Sequence, residues 1–161
     1  MSYIVKALNK TSKFFKIISA TSLASMMFLT FFDVVGRKFG HPIFGSIEMV
    51  SFLAIITITA ALPYTHKIDG HIGVEILVRL LPERTQTKVF ITTQLISLIF
   101  FSLVTWQMFL YAMDTRSSGE LSMNLGFPVY YLMYVGCFGL YVFSITIIES
   151  IVNNIIKLRE K

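Results

Sequence analysis

Four long stretches of this chain contain no Asp, Glu, Lys or Arg: residues 17–32, 49–65, 89–113 and 121–148. A helix that crosses the ~30 Å hydrocarbon core of a bilayer needs ~20 predominantly apolar residues at a rise of ~1.5 Å each. The four stretches therefore predict membrane-spanning helices near residues 14–36, 46–66, 88–113 and 127–156. Together they form an all-α, integral membrane four-helix bundle, expected to be one domain over residues 1–161. Pro128 is expected in the opening turn of the fourth helix, where its missing N–H is cheapest. Composition excludes the soluble alternative. Hydrophobic residues make up 55% of the chain and charged ones 14%, against ~25% charged in soluble domains, whose exterior must be largely polar.

The first stretch follows Lys6, Lys10, Lys13 and Lys16, as the front of a signal peptide would. It is longer than the ~7–15 residues of a signal-peptide core and ends without a small-residue cleavage site, so it is expected to remain as an uncleaved span.

Orientation comes from the basic residues between the spans. Lys6, Lys10, Lys13 and Lys16 precede the first span, and Lys67, Arg79, Arg84 and Lys88 lie between the second and third. Lys157, Arg159 and Lys161 follow the fourth. With four spans these groups share one side, and they hold eleven of the fourteen basic residues; Arg37, Lys38 and Arg116 hold the other. Both termini are thus expected in the cytoplasm of a bacterial cell, with the chain multi-pass in the inner membrane. The net charge of +5 does not imply nucleic acid, because the basic residues punctuate apolar runs instead of forming a stripe with stacking aromatics.

The central cytoplasmic loop has a pattern of its own. In HIGVEILVRLLPER, residues 71–84, His71, Glu75 and Arg79 recur every fourth position among apolar residues. This predicts a short amphipathic helix over 71–81, with Glu75 placed to pair with Arg79. Its apolar face suits the lipid interface or a neighbouring protein surface.

Charges inside a membrane mark function by default, because each is costly to hold there. Asp33, Glu48 and Glu149 all fall near span ends. Asp33 and Arg37 are spaced to pair within one helix, and Arg37 or Lys38 could meet Glu48 across the short outer loop, tying the first two helices together. No span is broken at its middle or carries converging polar groups there, as a self-sufficient transporter would require. His41, His66 and His71 lie in loops or at helix ends, which does not suit axial haem ligands, and the single cysteine, Cys137, is remote from them. There is no G-x-S-x-G elbow and no phosphate-binding glycine loop. The chain is therefore not expected to be an enzyme, and no cofactor is expected. Ala20, Ser22, Ala24 and Ser25 on the first helix and Gly136 and Gly139 on the fourth suit close helix packing. Tyr64, Trp106, Tyr111, Tyr130, Tyr131 and Tyr134 suit aromatic belts at the span ends.

Two short motifs then resemble a known family. DVVGRKFGHPIFGSIEM, residues 33–49, resembles the opening signature of the small membrane subunit of tripartite ATP-independent periplasmic (TRAP) transporters, the DctQ type. The matching positions are Arg37 after the first span, Pro42 in the outer loop and Glu48 opening the second span. GHIGVEIL, residues 70–77, resembles the element that follows the second span in that family, through Gly70, His71, Ile72, Val74 and Glu75. Pro82, Arg84 and Pro128 also fit. The resemblance implies a non-catalytic scaffold for a large membrane subunit, in sodium-coupled uptake of an organic acid delivered by a periplasmic binding protein. In that setting Arg37 and Glu48 would organise the outer face, and His71, Glu75 and Arg79 would brace the complex at the cytoplasmic interface. The residues themselves leave two other readings open: a membrane anchor of a respiratory complex, and a small homo-oligomeric exporter.

Overall fold

The computed structural model describes residues 2–67 and 82–159. The amphipathic helix expected over 71–81 lies outside the described residues, and with it His71, Glu75 and Arg79.

Four α-helices organise the described residues: α1 (Ser2–Lys38), α2 (Ser46–Lys67), α3 (Glu83–Ser118) and α4 (Tyr130–Arg159). Each contains a stretch long and apolar enough to cross a membrane, namely Thr11–Lys38, Ser46–Lys67, Lys88–Ser118 and Tyr130–Ile156. In lipid every backbone N–H and C=O must find a partner within the protein, and a helix achieves this locally whatever its side chains. Hydroxyls inside the spans follow the same rule. Those of Thr59, Thr105, Ser144 and Thr146 each donate to the carbonyl four residues earlier, at 2.7–3.1 Å.

Helix ends depart from expectation where hydropathy carries no information about them. α1 and α3 run past their apolar stretches, because the polar residues that flank these stretches tolerate helix. α3 stops at Gly119, whose left-handed conformation (φ 68°, ψ 25°) returns its N–H to the carbonyl of Thr115, a conformation glycine adopts without strain. α4 begins at Tyr130, so Pro128 stands before the helix instead of in its opening turn. The reason is a hairpin-like loop over 119–129. Ser122 N–H donates to the Phe127 carbonyl at 2.9 Å and Val129 N–H to Glu120 at 3.4 Å, with an isolated antiparallel bridge between Leu121 and Pro128. The apolar run starting at residue 121 is thus partly loop.

The helices do not close around a common core. Extensive packing joins α1 to α2, α2 to α4 and α4 to α3, giving a row with α1 and α3 at its ends. Water forces a soluble bundle to close, but lipid is as apolar as the side chains and exerts no such pressure. Burial is greatest on α4, with 44% of its most apolar stretch buried, and least on α3, with 6%. Where α1, α2 and α4 meet, Phe15, Ala60 and Val142 form one buried cluster. Phe143, Ile147 and Ile151 of α4 form a second, against Leu62 of α2 and Leu98 and Phe101 of α3. The Phe143 ring meets Phe101 edge-on at 4.8 Å and His66 at 5.7 Å.

Two glycines on α4 set its approach to the neighbours. A Cβ on Gly139 would fall 2.7 Å from the Thr59 Cβ, and one on Gly136 would meet the end of Met108. The expected role of these small residues is therefore met on α4.

Candidate functional site at the loop end

Two carboxylates organise the end of the molecule that carries loops 39–45 and 119–129. The first is Asp33, near the end of α1. Its Oδ2 accepts from Arg37 Nε at 2.8 Å, and its Oδ1 accepts the backbone N–H of Ile43 at 2.9 Å. The first bond is the expected i,i+4 pair. The second closes the loop, because Ile43 lies just before α2. The return of the chain is tight: His41 N–H donates to the Gly36 carbonyl at 2.8 Å, and a Cβ on Gly36 would collide with the His41 carbonyl.

The second carboxylate is Glu48, in the first turn of α2. Its Oε1 accepts from both the backbone N–H and the side-chain amide of Asn124, at 2.7 and 3.0 Å, and its Oε2 accepts the Leu125 N–H at 3.0 Å. Beside it, Gly45 (φ 69°) has the Leu125 side chain where its own Cβ would stand, 2.6 Å away. Glu48 thus joins α2 to the loop before α4.

This corrects the expected Arg37–Glu48 pair. The two residues share one end, but each is committed elsewhere. Arg37 turns back to Asp33, with Nη2 3.5 Å from the hydroxyl of Ser46, and its side chain stays 52% exposed, open to a further partner. Ser46 is buried.

At the opposite end, Lys67 Nζ lies 3.2 Å from Glu149 Oε2, linking α2 to α4. Lys16 donates to the Tyr64 hydroxyl at 3.1 Å and sits 4.6 Å from the ring centroid, linking α1 to α2. One further polar contact carried a sequence signal at only one of its two partners. Gln94 of α3, 4% exposed, donates its amide to the Ser150 hydroxyl at 2.7 Å, while its Oε1 has no partner among the described residues. A helical plot of the third run would flag a glutamine among apolar residues, though not the serine it meets.

The aromatic expectation holds in part. In the first turns of α4 the Tyr130 ring lies against Tyr131 and meets Tyr134 edge-on, and Tyr131 lies beside Phe127. Trp106 falls near the middle of the Lys88–Ser118 stretch and not at its end. It lines an open groove of about 660 Å³ between α3 and α4, together with Leu98, Thr105, Tyr134, Cys137 and Tyr141. Among the described residues no three His, Cys, Asp or Glu side chains converge. Hydrogen bonds to the two carboxylates carry the polar architecture of the loop end.

Comparison with curated proteins finds no match. The family model for the DctQ component of tripartite ATP-independent periplasmic transporters matches residues 26–157. That match takes in both carboxylates, both loops and the whole of α2 and α3.

Proposed function

Because the chain belongs to the family of DctQ components of tripartite ATP-independent periplasmic transporters, and is thus a multi-pass inner-membrane component of such a system, we propose that it is the non-catalytic scaffold of the transporter. In this reading it holds the large permease subunit in place during sodium-coupled uptake of an organic acid delivered by a periplasmic binding protein. One observation carries the scaffold reading. Every charged residue among the described ones lies in a loop or toward an end of its own helix, and none sits at mid-span. A substrate or ion site of the chain's own would need polar groups meeting near the midplane. The hydroxyls of Thr59, Thr105, Ser144 and Thr146 instead bond carbonyls of their own helices, which is the economy of a structural part.

The excess of lysine and arginine at the end bearing both termini supports a cytoplasmic location for that end. The loop end then faces the periplasm, where the half-exposed Arg37 is available to the binding protein or to the large subunit. The segment 71–81 braces the complex at the cytoplasmic interface.

The test is an affinity pull-down of the chain in mild detergent, with partners identified by mass spectrometry. A large polytopic permease in stoichiometric amount is the expected result. A chain that purifies alone and transports in vesicles would replace the scaffold with an exporter. A coloured preparation with a visible absorption band would replace it with a respiratory anchor.

A further inference from the structure

Two carboxylates hold two loops down against the ends of the spans. Asp33 of α1 accepts the Ile43 N–H, which draws loop 39–45 back onto α1. Glu48 of α2 accepts the N–H groups of Asn124 and Leu125, which turns the tip of loop 119–129 back onto α2. The loops meet where the Leu125 side chain fills the space beside Gly45. The side chains next to that junction are large, apolar and outward: Phe44 is 71% exposed and Met123 100%, and Phe39 and Ile47 are exposed as well. Such a concentration of exposed apolar side chains on two touching loops marks an interface.

Depth and continuity decide what covers them. Glu48 and Lys67, the charged residues that bracket the apolar run of α2, lie about 28 Å apart along the helix, close to the ~30 Å of the hydrocarbon core. Glu48 therefore stands near the edge of the core. Ile47 beside it, and the loop tip it holds, fall in the headgroup layer, roughly 5–7 Å deep. On α1, Phe28, Phe32, Val35 and Phe39 recur at helical spacing on one face, and all are exposed. The Phe39 N–H still donates to the Val35 carbonyl at 3.3 Å, so this face runs past the last residue of α1 into the loop. The exposed Arg37 and Lys38 stand beside Phe39, where long cationic side chains reach lipid phosphates.

We propose that loops 39–45 and 119–129 form a lipid-docking rim, with Phe39, Phe44, Ile47 and Met123 seated in the interfacial layer of the bilayer and Glu48 holding Met123 at that depth. The apolar face of α1 that meets lipid along the span continues onto the rim, which selects lipid as the occupant. A soluble protein would have to reach below the phosphates to cover the same side chains. The rim depends neither on the scaffold reading nor on which leaflet the loop end meets.

The experiment is spin labelling of the full chain, with Cys137→Ser removing the native thiol, in vesicles of phosphatidylethanolamine and phosphatidylglycerol. Labels are attached through Phe44→Cys, Met123→Cys and, as a reference within a span, Phe100→Cys, which is exposed on α3. A free water-soluble nitroxide calibrates contact with water, and circular dichroism checks that each variant remains helical. Collisions with a water-soluble nickel chelate should be several-fold rarer at 44 and 123 than for the free nitroxide, while collisions with oxygen, which partitions into the bilayer, stay frequent. Adding Glu48→Ala should raise nickel contact at 123 and leave 44 unchanged. Nickel contact at 44 and 123 equal to that of the free nitroxide would overturn the rim. So would labels that become shielded only when a co-purified permease or binding protein is added, which would assign the surface to a protein partner.

Discussion

Glu48 holds Asn124 by both of its nitrogens, the backbone N–H at 2.7 Å and the side-chain amide at 3.0 Å, across 76 residues of sequence. With the Leu125 N–H as third donor, one carboxylate fixes the position of the loop that leads into α4. Charged acceptors bind backbone donors more strongly than neutral ones.

Replacement of Glu48 should therefore loosen this loop in graded fashion. Glu48→Gln keeps one acceptor oxygen and loses the other. Glu48→Ala loses both. The thermal midpoint in detergent should fall by a few degrees in Glu48→Ala and by less in Glu48→Gln. Asn124→Ala should have the smallest effect, because it removes the side-chain bond and spares both backbone donors. Equal midpoints for all three variants would remove Glu48 from the architecture.

Asp33 makes a different prediction, because its two oxygens serve separate partners. Asp33→Ala should release the 39–45 loop, read as faster cleavage there in limited proteolysis. Arg37→Ala should release it less, since the Ile43 bond remains. Once Asp33 is gone, removing Arg37 should add little, so the double variant should resemble Asp33→Ala alone.

Gly139 and Gly136 look equivalent in sequence and should not behave so. Gly139→Ala drives a methyl into Thr59, at its Cβ and backbone, and should cost about 1–3 kcal/mol as overpacking. Thr59→Gly in the same chain should recover part of that loss. Gly136→Ala meets the far end of Met108, a flexible side chain that can turn aside, and should be tolerated. Thermal unfolding of the three variants in one detergent gives the ranking.

The Gln94–Ser150 contact should show the asymmetry of buried hydrogen bonds. Ser150→Ala strands the Gln94 amide and should destabilise by about 1 kcal/mol. The double variant Gln94→Leu/Ser150→Ala leaves nothing unpaired and should be at least as stable as Ser150→Ala alone. A double variant worse than both single ones would mean that Gln94 has a role the hydrogen bond does not express.

The spans are legible in the sequence because the membrane imposes a length and a polarity on each of them separately. Residues 46–66 and the helix Ser46–Lys67 differ by a single position. The start of α4 is less legible, since Leu121 and Phe127 are as apolar as a span while the turn chemistry of Asn124, Gly126 and Pro128 decides otherwise. Asp33 and Arg37 could be paired from their spacing alone. The partner of Glu48 could not, because hydropathy and helical period are local quantities and Asn124 lies on a loop beyond the third helix. The open row was equally out of reach: a bundle and a row present the same four apolar runs, and only the pairing of faces separates them.

The row has a consequence for biogenesis. Its α1–α2 and α3–α4 contacts each join helices consecutive in the chain, so each pair can enter the membrane as a finished hairpin. What remains is one seam, held by Thr59 against Gly139, by Glu48 at one end and by Lys67 with Glu149 at the other. Joining two preformed hairpins along a seam fastened at both rims requires no continuous peptide between them. Severed within residues 68–81 and co-expressed as halves, the protein should reassemble.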